Sequence, residues 1–256
     1  MVLQNGKMTN RTKTFFLSDF HFGLEFNDDS SNDREIRVVN FLNSIKDEAK
    51  RIILLGDIFD FWFEYKRVVP KGFVLFQGKI KELVLSGIEV FYFIGNHDLW
   101  QKDYFEKELG VKVIRTKIAE FCFEDKVFVL GHGDGLNPKD IGYKIMDKIF
   151  SSHLSWKIFS FFPSSFALWV AHLCSFNNRT KHRKYDLQDL DITEPMYNFC
   201  VKYLKQRKVD YFIFGHRHIE KEFSLEEGAK YINTGCWLDN SPFVEFDGQI
   251  LSLKKF

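Results

Sequence analysis

Five segments of the chain share one pattern, a short apolar run that ends abruptly in Asp, His or Asn. They occupy residues 15–21, 52–57, 90–98, 127–134 and 211–218. A short apolar run is typical of a buried strand, and side chains that follow such strands meet at one edge of an open α/β sheet. The pattern therefore predicts that acids, imidazoles and an amide converge on a single site.

Strand-like and helix-like runs alternate through the first half of the chain. Each unit of a strand and a helix is about 35 to 40 residues long, the size of a parallel βαβ crossover. The predicted strands are residues 14–18, 51–55 and 89–94, and the predicted helices are residues 33–49 and 73–85. This alternation predicts a mainly parallel sheet.

Closely spaced strands without intervening helices follow this parallel unit. They are predicted at residues 112–114, 118–123 and 126–130, and again at 222–225, 231–232, 243–246 and 250–253. Glycine-containing turns between the later strands are typical of hairpins. We expect two sheets packed face to face with helices outside them, which is an α/β/β/α sandwich.

Residues 136–207 differ from the rest because they are mostly helical in pattern and carry none of the strand-end motifs. Aromatic residues crowd the middle of this segment, in a chain that has 30 Phe and 17% aromatic residues. We expect a helical cap, inserted between core segments 14–135 and 208–256 and lying beside the site. Residues 1–13 are polar and are expected to form a disordered leader.

Charge and cysteine usage narrow the class of protein. Lys and Arg total 36 against 35 Asp and Glu, and this formal charge of +1 gives no global attraction to nucleic acid. The four cysteines contain no C-x-x-C pair, so neither a zinc ribbon nor a redox dithiol is predicted. No stretch of about 18 apolar residues suggests a membrane span. We therefore expect a cytoplasmic protein with reduced thiols and no nucleic-acid partner.

The residues at the strand ends are of the types that bind divalent transition metals. Asp19 and His21 lie two positions apart, so on an extended strand end they would project to the same side, as would His216 and His218. The carboxylate of Asp57 can bridge two ions. The full set of candidate ligands is Asp19, His21, Asp57, Asn96, His132, His216 and His218. Imidazole with carboxylate suits manganese, iron or zinc, and the absence of thiolate argues against a structural zinc site.

Two cations held close together would clamp the oxygens of a phosphoryl group and lower the pKa of a shared water, giving a hydroxide nucleophile near neutral pH. His97, next to Asn96, would stabilise the developing charge or protonate the leaving oxygen, and Asp98 would orient its ring. His97 and Asp98 are therefore the candidate catalytic residues. Asp60 is expected to brace its loop, and Asp134 either to brace its loop or to contact substrate.

The five segments, in this order, resemble the motifs of the calcineurin-like metallophosphoesterase family, which are D-x-H, G-D, G-N-H-D, G-H and G-H-x-H. The resemblance implies an enzyme with two divalent metal ions, for which manganese is expected. It also implies two sets of ligands. Asp19, His21, Asp57 and His218 would hold one ion, and Asp57, Asn96, His132 and His216 the second.

Within that family, residues 56–73, the phrase GHGDG, the aromatic cap and GHRH resemble the UDP-2,3-diacylglucosamine pyrophosphohydrolases of lipid A biosynthesis. By resemblance, such enzymes cleave the pyrophosphate of a diacylated UDP-sugar at the cytoplasmic membrane face, releasing UMP and the acylated sugar 1-phosphate. The cap agrees with this substrate, because acyl chains need an apolar tunnel and a peripheral enzyme needs exposed aromatics at the membrane surface. The candidate substrate contacts beside it are Arg179, Lys181 and Arg183.

Two other functions fit the same residues. A general phosphodiesterase or nucleotide pyrophosphatase acting on a soluble substrate is favoured by His97, because the best-known pyrophosphohydrolases have Arg after the motif Asn. A non-catalytic scaffold on the same fold, as in the retromer scaffold subunit, belongs to a different class. Such scaffolds tend to lose site residues, whereas all the proposed ligands are present here. The sequence leaves the oligomeric state open.

Overall fold

The computed structural model describes residues 11–138, 141–163, 194–238 and 240–256. Within these residues the chain forms a six-stranded sheet and a five-stranded sheet. The strands are β1 (Lys13–Leu17), β2 (Ala49–Leu54), β3 (Glu89–Phe93), β4 (Lys112–Ile114), β5 (Ile118–Phe123), β6 (Lys126–Gly131), β7 (Tyr211–Phe214), β8 (Glu220–Ser224), β9 (Lys230–Thr234), β10 (Pro242–Phe246) and β11 (Leu251–Lys255).

Both sheets combine a block of parallel strands with antiparallel strands. The first has the order β11-β10-β1-β2-β3-β4, in which β1 to β4 are parallel and β10 and β11 are antiparallel additions. The second has the order β5-β6-β7-β9-β8, in which β6, β7 and β9 are parallel. The parallel strands matter for function because the loops after β1, β2, β3, β6 and β7 carry the candidate site residues.

The described helices are α1 (Ser31–Ile45), α2 (Val74–Leu85), α3 (Ile141–Phe150), α4 (His153–Ser160) and α5 (Pro195–Leu204), with one π-helical turn at Phe105–Leu109. Ser30 starts α1 because its side chain accepts a hydrogen bond from the N–H of Asp33. Glu194 starts α5 in the same way, through the N–H of Tyr197, and Pro195 supplies a fixed φ at the first helical position. Among the described residues, no helix combines the length and apolar character needed to cross a bilayer.

Three apolar layers hold these elements together. Helices α1 and α2 pack on the outer face of the first sheet, where Phe41 and Ile80 are buried. The facing sides of the two sheets meet around Phe16 and Phe128, whose rings stack at 5.7 Å between centroids. The outer face of the second sheet is covered by α5, which buries Cys200. The predicted α/β/β/α sandwich is confirmed.

Two boundaries differ from those expected from the sequence. Helix α1 ends at Ile45 rather than at residue 49, because Ala49 already pairs in β2 and the intervening residues turn the chain. Helix α5 falls within the segment 136–207 that was expected to be cap, yet its apolar side packs on the second sheet. Helices α3 and α4 are the described part of the proposed cap, and β1 begins at Lys13, the last residue of the expected leader.

Candidate metal centre

The backbone at the strand ends is left-handed, not extended. Five non-glycine residues of the site have positive φ, namely Asp19 (54°), His21 (47°), Asp57 (52°), His216 (70°) and His218 (55°). Such conformations are costly for residues with a Cβ and persist where the surrounding structure enforces them, often at functional sites. The paired residues of D-x-H and H-x-H do converge, but through sharp local turns instead of the alternation of a strand.

Glycines allow these turns to approach one another. A Cβ on Gly95 would overlap the carboxylate of Asp57, and a Cβ on Gly215 would overlap that of Asp19. Both glycines precede a site residue in the motifs G-N-H-D and G-H-x-H. Their lack of a side chain is therefore what allows carboxylates from one loop to reach imidazoles from another.

The first group of side chains, called cluster A, consists of Asp19, His21 and His218. The two imidazole Nε2 atoms are 3.1 Å apart, and Nε2 of His218 is 3.2 Å from Oδ1 of Asp19. Nε2 of His21 is 3.7 Å from the same oxygen. One carboxylate oxygen and two imidazole nitrogens thus point at a common space.

The second group, called cluster B, consists of Asp57, Asn96, His132 and His216. Nε2 of His132 is 3.2 Å from Oδ2 of Asp57 and 3.1 Å from Oδ1 of Asn96. Ligand atoms of Asp57, His132 and His216 all lie within 4.8 Å of one another. Asp57 Oδ2 is also 3.9 Å from Nε2 of His21 in cluster A, so this carboxylate lies between the clusters.

The donor atoms fit two divalent metal ions. Among the described residues, Oδ1 of Asp19, the oxygen that faces the imidazoles of cluster A, is buried without a hydrogen-bond partner, an expensive arrangement unless something else binds there. Imidazoles that face one another across about 3 Å are likewise the arrangement that a shared cation favours. Nitrogen and carboxylate oxygen together suit manganese, iron or zinc.

Charge in cluster B is distributed unevenly over its imidazoles. Burial by itself would lower the pKa of His132, but the carboxylate of Asp57 raises it to about 10. Burial and the neighbouring charge of His132 lower the pKa of His216 to about 4. Burial favours the neutral form of Asp57, yet the rings of His132 and His97 hold its pKa well below the usual value. A divalent ion held by these atoms would compete with the proton that Asp57 favours on His132.

The ring of His97 contacts Asp60 through a hydrogen bond. Its Nδ1 is 2.9 Å from the main-chain oxygen of Asp60 and 3.5 Å from the carboxylate Oδ1. Because a carbonyl oxygen only accepts, Nδ1 carries a proton and Nε2 faces Asp57, at 4.0 Å from Oδ2. Asp60 Oδ1 also lies 3.6 Å from Nδ1 of His21. Asp60, which was expected only to brace its loop, contacts the rings of a candidate ligand and of the candidate catalyst.

Asp98 has different partners from those expected. Its carboxylate accepts hydrogen bonds from the hydroxyl of Tyr92 and the amides of Ile58 and Gly95, at 2.5, 3.1 and 2.6 Å. Burial and the charge of Asp57 raise the pKa of Asp98 to about 6. These contacts hold the loops after β2 and β3 together, and the ring orientation expected of Asp98 is provided by Asp60.

Asp134 links the site to the cap. Its Oδ2 accepts hydrogen bonds from Nζ of Lys117, at 2.5 Å, and from the hydroxyl of Tyr143 on α3, at 2.6 Å. Lys117 also pairs with Asp147 on the same helix, at 2.8 Å. The carboxylate is buried, and although burial raises its pKa, His132 and Lys117 keep the pKa below its ordinary value. Asp134 therefore makes contacts that brace its loop through Oδ2. Its Oδ1 atom has no hydrogen-bond partner among the described residues.

Aromatic rings join the cap to the loop after β2. The indole of Trp156 donates to the main-chain oxygen of Glu64 at 2.7 Å, and the ring of Phe159 packs against Phe63 and Trp100. A cavity of about 480 Å³ lies between the cap and the segments after β3 and β4. Its walls include Ile94, Leu99, Trp100, Lys102 and Trp156.

The structure thus brings together every candidate metal ligand and His97. The candidate substrate contacts Arg179, Lys181 and Arg183 lie outside the described residues, as does the second half of the aromatic segment. The contacts of Asp60, Lys117 and Tyr143 were not anticipated. A sequence signal exists only for Asp60, which follows Asp57 by three positions in the loop that bears the second motif.

Comparisons with known proteins give consistent matches. The sequence profile of a family described as calcineurin-like phosphoesterase matches residues 12–220. A protein of Porphyromonas gingivalis named UDP-2,3-diacylglucosamine hydrolase is 33% identical over 260 residues, covering 95% of this chain and 97% of that protein. One of the same name from Haemophilus influenzae is 24% identical, covering 89% and 91%. A solved structure of an archaeal phosphodiesterase aligns with 95% of this chain and 99% of its own, at a TM-score of 0.48 and 14% identity.

Proposed function

This chain belongs to the calcineurin-like phosphoesterase family, and from that premise we propose that it hydrolyses the pyrophosphate bond of UDP-2,3-diacylglucosamine. The products would be UMP and 2,3-diacylglucosamine 1-phosphate. Membership confirms the resemblance expected from the five motifs. The observation that carries the proposal is the full-length similarity to a UDP-2,3-diacylglucosamine hydrolase, with both metal clusters intact.

The proposed cofactor is a pair of divalent ions, with manganese as the native metal. Clusters A and B would hold them, with Asp57 between. When bound, the two ions supply an activated water and neutralise charge on the phosphoryl oxygens. His97 faces the same space through Nε2 and would act on the charge that develops at the phosphoryl group or at the leaving oxygen. Asp98 would act indirectly, because its hydrogen bonds to the amides of Ile58 and Gly95 hold the loop that carries His97.

The cap supports a substrate with acyl chains. The cavity under the cap is lined by two indoles and two aliphatic side chains together with polar and basic side chains, among them Lys102, Arg115 and Lys117, and Lys102 lies over the ring of Trp156. A pocket that combines apolar walls with a few cations suits a ligand that has both hydrocarbon and phosphate groups. Asp134, together with Arg179, Lys181 and Arg183, is proposed to contact the polar part of that ligand.

The direct test is release of UMP in the presence of manganese. We expect the diacylated UDP-sugar to be cleaved with a kcat/KM at least about a hundredfold above that of UDP-glucosamine without acyl chains, because burying hydrocarbon contributes about 0.8 kcal/mol per CH₂. In the variant Trp156→Ala this ratio is expected to shrink. Equal turnover of the two substrates by the unmodified protein would instead favour the general phosphodiesterase that His97 suggests.

We further propose that the protein works at a membrane surface, on the cytoplasmic side. Apolar side chains are exposed on α3, on α4 and at the end of α4, among them Ile158 and Phe161, which are 54% and 88% exposed. Lys144, Lys148 and Lys157 lie on the same two helices. Exposed apolar groups next to lysines are typical of proteins that bind anionic lipid surfaces.

The loop before α2 extends this surface. Residues 65–81 contain no Asp or Glu, and Lys66, Arg67 and Lys71 are exposed together with Val74. The loop directly follows Glu64, whose main-chain oxygen receives the indole of Trp156, so it adjoins α4. Its positive charge is local, since the whole chain has a net charge of only +1.

Co-sedimentation with vesicles tests this proposal. We expect binding to vesicles that contain phosphatidylglycerol to exceed binding to pure phosphatidylcholine, and to fall with salt. The double variant Ile158→Ser and Phe161→Ser should weaken binding by about a hundredfold or more, since each buried side chain contributes roughly 1.5 to 3 kcal/mol. The matched control is Ile250→Ser, which alters a residue 63% exposed in the hairpin of β10 and β11. Equal effects of the two substitutions would contradict the proposed surface.

A further inference from the structure

The loop between β1 and α1 carries two of the three ligands of cluster A. One edge of this loop is held by the second motif, because the amides of Asp19 and His21 donate to the main-chain oxygens of Gly56 and Asp57, at 3.1 and 3.0 Å. These bonds prolong the parallel pairing of β1 with β2 beyond the ends of the strands. The main-chain oxygen of Phe22 accepts from the amide of Asp60 at 2.9 Å, and that of His21 accepts from the amide of Leu24 at 3.1 Å, whereas the carbonyls of Phe20 and Leu24 need other donors.

Arg34 supplies those donors. The residue lies on α1, and its side chain is 0% exposed. Nε donates to the main-chain oxygen of Phe20 at 2.6 Å, and Nη2 donates to those of His21 at 2.9 Å and Leu24 at 2.5 Å. A buried guanidinium is tolerated only when its N–H groups are bonded, and here its planar fork serves three carbonyls of one short loop.

Asp29 completes the arrangement. Its Oδ2 is 2.5 Å from Nη1 of Arg34, and its Oδ1 is 2.9 Å from Nη1 of Arg37. Arg37 in turn donates to the main-chain oxygen of Trp237 at 2.8 Å, and the amide of Trp237 donates to the main-chain oxygen of Asp19 at 3.1 Å. Both ends of the segment that carries the D-x-H motif are therefore bonded into one charged network based on α1.

This network stabilises an unfavourable backbone conformation in the loop. Asp19 and His21 both have positive φ, which an isolated loop would avoid. The carbonyls that Arg34 binds are those of Phe20 and His21, so the guanidinium fixes the peptide groups between and after the two ligands. Without these bonds, relaxation of the loop toward ordinary backbone conformations would lower its conformational free energy. The two ligand side chains would then separate.

We propose that Arg34 is a positioning residue for metal binding, which holds Asp19 and His21 in the geometry that cluster A needs before the ion arrives. Cluster B does not share this support, because its ligands lie on the loops after β2, β3, β6 and β7. Arg34 should therefore affect the two metal sites unequally. The inference concerns metal affinity and does not depend on which phosphoester is the substrate.

Titration of the full chain with manganese, followed by calorimetry and by electron paramagnetic resonance, tests the proposal on Arg34→Lys. Lysine keeps the charge but cannot form the fork. We expect the Kd of one of the two ions to rise by about 10- to 100-fold, as is usual when a group that orients a metal ligand is lost. The Kd of the other ion should change by less than about twofold, and the coupled signal of a manganese pair should give way to that of a single ion.

The matched control is Arg51→Lys, which changes a partly buried arginine near the beginning of β2, ion-paired with Glu89 and Glu124. It should leave both Kd values unchanged. Equal weakening of both sites by Arg34→Lys, as a general loss of structure would produce, overturns the proposal, and so does retention of both affinities. If Arg34→Lys does not yield folded protein, Asp29→Asn carries the same expectation and the same two contrary outcomes.

Discussion

Replacement of Asp57 by Asn is expected to leave a folded protein that has lost its hydrolytic activity. Oδ2 of Asp57 is 3.2 Å from His132 in cluster B and 3.9 Å from His21 in cluster A, so one carboxylate serves both proposed metal sites. Asparagine keeps the acceptor for the amide of His97, which lies 2.9 Å from Oδ1, and therefore preserves the loop contact. What disappears is the negative charge between the two proposed metal sites.

The expected fall in kcat is about a thousandfold or more, because the metal pair contributes several kcal/mol of transition-state stabilisation and a tenfold change in rate corresponds to about 1.4 kcal/mol. The measurements are kcat with saturating manganese, metal content and the circular dichroism spectrum. Asp103→Asn, which removes an exposed carboxylate paired with Lys107, is the matched control and should retain full activity. Turnover by Asp57→Asn within tenfold of the unmodified protein would contradict catalysis by a metal pair.

The fold was largely predictable because its signals are local. Strands β4 and β5 occupy the residues that their apolar runs predict, and the order of the motifs places their loops at the ends of parallel strands. The position of helix α5 was harder to predict. Its apolar side, with Met196 and Cys200, reads like that of any amphipathic helix, and only the tertiary structure shows that it covers the second sheet and not the cap.

The sequence predicts which side chains converge but not the geometry in which they meet. Residue types and order indicate which side chains converge, whereas the positive φ values of Asp19 and His21 follow from contacts made by distant parts of the chain. The role of Arg34 could not be predicted from the sequence either. A charged residue in a helix is ordinarily exposed, and nothing near it in the sequence indicates that its guanidinium is buried against the loop of the first motif.

Replacement of His97 by Asn is expected to lower kcat by about 10²- to 10⁴-fold, the usual contribution of a positioned acid or base. The amide nitrogen of asparagine can take the place of Nδ1 and donate to the main-chain oxygen of Asp60, while the Nε2 atom is removed. The substitution therefore isolates the atom that faces Asp57 and the clusters. Two manganese ions should remain bound, and loss of one would make His97 a ligand.

The role of Nε2 can be resolved with two esters of UMP that differ only in the basicity of the leaving oxygen, the phenyl and p-nitrophenyl esters. If His97 protonates the leaving oxygen, His97→Asn should slow the phenyl ester much more than the p-nitrophenyl ester, because a weakly basic leaving group needs less protonation. If the ring stabilises charge on the phosphoryl oxygens instead, both esters should slow equally. A loss below about tenfold with both esters would remove His97 from the catalytic residues.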